Sequence, residues 1–373
     1  MPLTRRALLA TGACLAGAPA YGAPAQSQPP APVFGAALPL SGDLSLIGDE
    51  CLRGIQLAAE DANANAPITL NIADSAQQSP ADAVNGLINA SHANILFGGG
   101  ASALSYPASA AAELAQTPYI ELNAPADGIT ARGFHYLLRT APTTSMTGSL
   151  AAATIAKRYA GRKIGLLFNT GATGGAIAAA AIAALATAKT PILLSIGYPA
   201  DVTDLSAPVG RLKRAGVEIL LHAADPTDIL AFFAALQTQD WRPAALLGCG
   251  DGYLLRDSAF AIGPEFDFTL AIGAPFYPAS AAAIASAYTA RYGTPPRSPD
   301  SLTAYTGASL VFSTLKSSNH DPTKLLDALR KTNLPPGALP NGFGAAFDHT
   351  GQNTNSLVTL QQWRNGTLIP APD

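Results

Sequence analysis

Charge is scarce in this chain of 373 residues: Asp, Glu, Lys and Arg together make up 13%. The 22 basic and 25 acidic residues leave a net charge of −3, so no basic excess exists to neutralise phosphates, which argues against nucleic acid as a partner. Long apolar runs are also missing. Nothing approaches the ~20 uninterrupted apolar residues of a membrane span, and the 48% hydrophobic content, rich in alanine, is that of a globular chain. Cysteine is limited to Cys14, Cys51 and Cys249, too few for a disulfide framework. The five histidines are scattered without zinc-site spacing. There is no Gly-x-Ser-x-Gly elbow, no Walker loop and no Gly-x-Gly-x-x-Gly turn. These absences remove the usual signatures of catalysis, metals and cofactors, so the expectation is a binding protein with none of the three.

The N-terminus reads as an export signal for residues 1–25. Arg5-Arg6 form a charged region, Ala7 to Ala18 a weakly apolar one, and Ala18-Pro19-Ala20 and Ala23-Pro24-Ala25 are small-x-small cleavage candidates. Both an ordinary secretory signal and a twin-arginine signal fit Thr4-Arg5-Arg6-Ala7-Leu8-Leu9. Thr11-Gly12-Ala13-Cys14 is a poor lipid-attachment motif, so no anchor is expected at Cys14. The periplasm is the expected destination.

The remaining chain is long enough for two domains. Strand-like runs at Val33–Leu38, Thr69–Ala73, Ile95–Phe97, Tyr119–Leu122, Lys163–Phe168, Ile192–Gly197, Ile219–Leu221, Ala245–Gly248 and Thr269–Ile272 alternate with helical stretches. That alternation predicts parallel sheets covered by helices on both faces, in more strands than one sheet comfortably holds. Breaks fall at Arg139-Thr140-Ala141-Pro142 and after Gly273-Ala274-Pro275; helices at 280–292, 301–317 and 322–331 and extended segments at 343–347, 357–363 and 367–369 follow. The alanine-rich run Ala176 to Ala188 is too short to span a membrane and is predicted to be a buried helix. Cys51 and Cys249 are expected in different lobes, buried and unpaired.

Candidate binding residues lie where strands run into helices, because ligands of open α/β sheets bind outside the carboxyl ends of the strands. Ser41 sits in the Gly-containing loop after the first strand. Gly98-Gly99-Gly100-Ala101-Ser102 follows the third; glycines let the backbone approach a ligand, and a helix start offers free N–H groups to an anion. Asn123-Ala124-Pro125-Ala126, Thr170 to Thr173, His222-Ala223-Ala224-Asp225 and Cys249-Gly250-Asp251 end four later strands. Each has a plain structural reading too: Thr173 and Asp225 as helix caps, His222 as a core histidine.

Several of these segments resemble the periplasmic solute-binding proteins of branched-chain amino-acid ABC importers, of the leucine/isoleucine/valine type. The opening Ala36 to Glu60 is similar to the start of those receptors, and Phe347-Asp348-His349-Thr350-Gly351-Gln352-Asn353, followed by an apolar strand and Trp363-Arg364-Asn365-Gly366, to their end. The resemblance implies an α/β fold of two doubly wound parallel-sheet lobes joined by a three-strand hinge, with the ligand cleft between them. It implies lobe one at 33–141 plus 275–342 and lobe two at 142–274 plus 343–373. It implies a monomeric receptor handing an amino acid, or a related small carboxylate or amide, to permease subunits. A sensor feeding a signalling receptor and an exported α/β enzyme are the alternatives; a DNA-binding repressor would need a helix-turn-helix where the signal stands.

In this resemblance Ser102 matches the serine on the ligand carboxylate, with Gly99 and Gly100 beside it. Asn123 and Ala124 match the segment presenting backbone and hydroxyl groups to the same head group, although Pro125 or Ala126 replaces the family's threonine. Thr173 stands where a tyrosine often closes over the ligand. Ala224 and Asp251 belong to the lobe-two loops, Asp251 as the ammonium partner one residue beyond Gly250. Phe276, Tyr277 and Tyr305 are further candidates to reach the cleft. The Asp348–Asn353 turn is expected near the hinge, away from ligand.

Overall fold

The computed structural model describes residues 32–63 and 68–372; the expected signal and Cys14 lie outside them. The first sheet holds β1 (Val33–Leu38), β2 (Thr69–Asp74), β3 (Ile95–Gly98), β4 (Tyr119–Glu121) and β5 (Leu137–Arg139), all parallel, in the order β2-β1-β3-β4-β5. Its helices are α1 (Ser45–Asn63), α2 (Pro80–Asn89), α3 (Ser102–Leu114) and the single turn α4 (Gly128–Ala131). The chain then passes through α5 (Thr144–Arg158) into β6 (Ile164–Asn169), α6 (Ala172–Thr187), β7 (Ile192–Tyr198), α7 (Ser206–Ala215), β8 (Ile219–Ala223), α8 (Pro226–Thr238), β9 (Ala245–Cys249), α9 (Arg256–Ile262) and β10 (Leu270–Gly273). It returns through α10 (Ala282–Tyr292), α11 (Asp300–Ser317), α12 (Leu325–Arg330), β11 (Asn333–Leu334) and β12 (Ala345–Ala346). Last come β13 (Thr359–Arg364) and β14 (Thr367–Pro370), antiparallel additions to a second sheet ordered β14-β13-β10-β9-β8-β6-β7.

The result is an α/β protein of two doubly wound lobes. Strand β5, Leu137 to Arg139, was absent from the strand-like runs; it lies directly against the break at Arg139-Thr140-Ala141-Pro142. Helix α3 begins at Ser102 and runs on through Pro107, its sixth residue, whose ring leaves Ala103 O without the N–H it would otherwise receive.

Helices α10 and α11 return to lobe one and lie against α1. Gly54 makes the α1–α11 approach possible: a Cβ there would sit 2.1 Å from Ser301 O. Phe312 of α11 stands edge-on to Phe34 and Phe97 at 5.0 and 5.8 Å between ring centroids, knitting the returning helix to β1 and β3. Burying such a ring contributes about 1.5–3 kcal/mol. Lobe one also keeps the chain longer than the expected boundary at 342. Ala345 is part of its core and β12 pairs with β11, so the crossing back to lobe two begins only after Phe347.

Lobe two packs around Trp363, Phe266, Tyr253, Phe232 and Phe233, with the Trp363 Nε1 donating to Tyr253 O at 2.8 Å. The alanine-rich α6 is buried along one face only, through Ile177, Ala178, Ala181 and Leu185, whereas Ile182 is exposed. Its small residues serve a close approach to α5, where a Cβ on Gly148 would lie 2.5 Å from the Ala180 backbone. Cys51 and Cys249 are free, buried and in different lobes. No helix of the described residues is long and apolar enough to cross a membrane.

Candidate functional site

The strand orders locate the site before any side chain is considered. Each sheet reverses its winding once, between β1 and β3 in lobe one and between β6 and β8 in lobe two. Loops at such points diverge and leave a crevice. The two crevices face each other. At their meeting the N–H of Ser102, first residue of α3, donates to Thr173 Oγ1 of α6 at 3.3 Å, and both residues are buried. The turn at Gly42–Leu44 of lobe one lies against α8 of lobe two. The lobes therefore touch across the cleft, which keeps a partly open pocket of about 50 Å³ between them.

Both lobes wall this cavity. Asn123, Pro125, Pro299, Asp300 and Thr303 come from lobe one; Thr147, Ile177, Gly250, Asp251, Leu254 and Ile272 from lobe two. Asp300 and Thr303 are successive-turn neighbours on one face of α11. Asp300 accepts from Ser298 Oγ at 2.6 Å and from Asn123 Nδ2 at 3.2 Å. Burial raises its carboxyl pKa, with those bonds acting in the opposite direction. Asp251 is raised well above the ordinary carboxylate range by burial, then by the charges of Asp300 and Asp225. Its carboxylate accepts no hydrogen bond among the described residues.

The loop Asn123–Ala126 is held by charged groups behind it. Glu121 Oε1 takes the N–H groups of Asn123 and Ala124 at 3.1 and 2.8 Å. Arg139, fully buried, gives Nη1 to the carbonyls of Ala124 and Ala126 at 3.0 and 2.7 Å, Nη2 to Thr130 Oγ1 at 3.2 Å, and Nε to Gln352 Oε1 at 2.5 Å. Burial lowers the Arg139 pKa to about 10, which leaves it charged at neutral pH. The segments crossing between lobes are stitched at the same place. Asn353 Nδ2 donates to Thr140 O and Gly344 O at 3.2 and 3.0 Å, and Gln352 Nε2 to Ala141 O at 3.0 Å. Asp348 closes the neighbouring turn by accepting from the N–H groups of Thr350 and Gln352. The Asp348–Asn353 turn thus lies at the crossing and lines no part of the cavity.

Of the sequence candidates, Asn123 and Asp251 line the cavity, whereas Ser102 and Thr173 bond to each other between the lobes without lining it. Gly100 adopts φ +96 and packs against the Pro39 ring, its N–H given to Asn123 Oδ1 at 2.6 Å. Gly99 and Ala124 are buried behind Asn123. Ala224 lies beneath Gly250, whose φ of +99 brings it close to Ala224 O. Ser41 does not reach the cavity: Asp74, at the end of the neighbouring strand, holds the Ser41 hydroxyl and accepts from Leu40 N at 3.0 Å.

Three aromatic candidates are corrected. Tyr305 is two residues from Thr303, hence on the opposite side of α11, where its hydroxyl donates to Asp61 Oδ2 at 2.6 Å. Tyr277 instead places its hydroxyl 3.0 Å from Ser301 Oγ beside the buried Glu50, and Phe276 packs on the lobe-two core. His222 is a core residue, its ring nitrogens 2.8 Å from Tyr198 Oη and 2.5 Å from Tyr253 Oη. The residue missed is Asp300. Pro299-Asp300 ahead of an apolar helix reads as an ordinary helix start, and only packing turns it toward Asn123 and Asp251.

The fold and cleft define a two-lobed binding protein, and comparison places the chain in a family. Residues 33–367 match the family model described as "Periplasmic binding protein", and the chain belongs to that family. It is 31% identical over 359 residues to a Leu/Ile/Val-binding protein homolog 7 of Brucella abortus, covering 90% of each chain. It is 29% identical over 359 residues to homolog 8 of the same organism, covering 90% of this chain and 89% of the relative. Among solved structures, a leucine-binding protein from Thermotoga maritima superposes with a TM-score of 0.82 at 17% identity, over 91% of this chain and 98% of that one. A Streptococcus pneumoniae branched-chain amino-acid transporter protein holding isoleucine gives 0.81 at 20%, with the same coverage. A Rhodopseudomonas palustris solute-binding protein holding 4-hydroxybenzoate gives 0.79 at 21%, over 92% and 96%.

Proposed function

We propose that this chain is the exported solute receptor of an ABC importer, closing around one small molecule and delivering it to membrane permease subunits as a monomer. The observation that carries this reading is the pocket at the facing crevices of both sheets, with walls from both lobes and a bond between the lobes at Ser102–Thr173. Opening requires only rotation about the crossing segments near residues 140–143, 274–278 and 347–358, a hinge movement that leaves each core intact. Lobe one then comprises 33–141 plus about 275–347, and lobe two the remainder. Asn123, Asp251 and Asp300 contact the solute, and Thr303 and Thr147 bound it. The relatives named for leucine, isoleucine and valine support an organic solute, as do neighbours holding isoleucine or 4-hydroxybenzoate. No residue here is given a catalytic role.

Native mass spectrometry of gently purified protein tests the reading by looking for a carried-over solute. A melting screen follows, because solute at 100 times its dissociation constant adds roughly 2.7 kcal/mol to stability. Protein that carries nothing and answers no member of a broad organic-solute library would refute it.

A further inference from the structure

A second cavity lies in lobe one, away from the cleft. Its volume of about 580 Å³ is within the range of small-molecule sites and larger than the cleft pocket. Pro32, Val33 and Phe34 line it at the start of β1, whereas the cleft lies beyond the carboxyl end of that strand. The six residues of β1, roughly 20 Å of extended chain, separate the two places.

The cavity exists because α1 and α11 meet closely over only part of their length. Gly54 lets them touch at Ser301, and toward their C-terminal ends the space between them is left to the cavity. One wall is a single face of α11, made by Tyr305, Ser309, Ser313 and Lys316. From Tyr305 to Lys316 that face runs about 16 Å along the helix axis. Ala58 and Ala62 of α1 form the facing wall, and Phe34, Ile68, Phe312 and Leu315 give the trough an apolar floor.

The charged groups around this trough differ in what they still need. Near one end Asp61 accepts from the Tyr305 hydroxyl at 2.6 Å. Burial, then that contact, raises the Tyr305 phenol to about 12, so it remains a donor. At the other end stand Lys316, in the last turn of α11, and His320. Among the described residues neither of these two side chains has a hydrogen bond or an ion pair. The helix end does not occupy them either, because Leu315 O already accepts from the N–H groups of Ser318 and His320 at 3.1 and 2.8 Å.

We propose that this cavity is a second binding site, for a straight-chain amphiphilic carboxylate whose tail lies along α11 and whose head meets Lys316 and His320. Shape and charge argue together. A long apolar trough rewards a ligand in proportion to the apolar area it buries, which favours a tail over a compact polar solute. Asp61 already holds a donor at one end while the cations at the other hold nothing, so the carboxylate belongs beside the C-terminus of α11. Every described residue lining the cavity comes from lobe one or the start of its first strand. Occupancy therefore needs no closing of the cleft and does not depend on the receptor reading.

Calorimetry on the full mature chain tests this with sodium decanoate, kept below micelle formation, against sodium acetate and decyltrimethylammonium chloride. Decanoate should bind saturably, acetate should give a flat titration, and the cationic amphiphile should bind more weakly than decanoate. Ala62→Trp fills the trough and should abolish decanoate binding; should it fail to fold, Ser313→Trp on the exposed rim of the opposite wall should do the same. Lys316→Glu should weaken decanoate by about fivefold, the size of an exposed ion pair, with an unchanged melting temperature. Val358→Trp, which narrows the cleft pocket, should leave decanoate affinity within twofold. Absence of saturable decanoate binding overturns the site. Tighter binding of the cationic amphiphile, or no change in Lys316→Glu, overturns the carboxylate assignment. Decanoate lost in Val358→Trp but kept in Ala62→Trp is a solute of the cleft, which overturns the second site and leaves the receptor reading standing.

Discussion

Arg139 joins the hinge to the binding loop, and removing it tests that link directly. Its guanidinium is fully buried and supplies hydrogen bonds to Ala124 O, Ala126 O, Thr130 Oγ1 and Gln352 Oε1. In Arg139→Leu the side chain keeps part of the volume but leaves these acceptors without donors. Gln352 and Thr130 can rotate toward other partners, whereas the two carbonyls are fixed by the loop. A buried polar group left unpaired costs about 1–3 kcal/mol, so two carbonyls plus partial loss at the other acceptors imply about 3–5 kcal/mol in lobe one. The loss is not the sum of four full bonds, because leucine also avoids burying a charge. Trp241 and Trp363 both belong to lobe two, so tryptophan fluorescence follows that lobe, and circular dichroism follows the whole chain. Urea unfolding should show the dichroism transition moving to lower denaturant while the fluorescence transition stays near its original midpoint. Arg139→Lys should recover part of the loss, since one ammonium can reach some of the same oxygens. A stability loss below about 1 kcal/mol for Arg139→Leu would refute the argument.

Gly250→Ala places a Cβ 2.3 Å from Ala224 O at a φ of +99, so the β9 loop must shift; solute affinity should fall with Asp251 displaced, read by calorimetry against wild type. Cys51 and Cys249 should resist a thiol reagent in native protein and react fully in urea, because burial removes access and raises both thiol pKa values, that of Cys249 to about 12. Asp251→Asn should raise the ligand-free melting temperature at neutral pH. A carboxyl whose folded pKa exceeds its unfolded value lowers stability as pH climbs from about 3.8 toward the raised value, so the variant's gain should shrink as pH drops toward 4. Melting curves from pH 4 to 8 that run parallel for variant and wild type would count against it.

Much of the architecture is legible in the chain because it rests on local patterning. Apolar runs of three to seven residues separated by helical stretches suffice for the parallel strands, and nine of them were placed to within a residue or two. The two-lobed form follows from the number of strands. The short β5 was not among them, since it runs straight into the break at Arg139-Thr140-Ala141-Pro142, and its place comes from pairing with β4 and the bridge between Arg139 and Gln352.

The site divides differently. That the binding residues lie at strand ends, among them Asn123 and Asp251, follows from topology and is visible in sequence. Which side chain faces the cavity depends on the rotation of each helix and on who else claims each hydrogen bond. Tyr305 and Asp300 sit on one helix, five residues apart, yet packing sends the tyrosine to Asp61 and the carboxylate to Asn123. Glu121, read only as part of the strand Tyr119–Leu122, takes the very N–H groups that the loop was expected to offer. Such competition among acceptors is settled in three dimensions, because the partners are separated by long stretches of chain and meet only when the lobes have folded and closed.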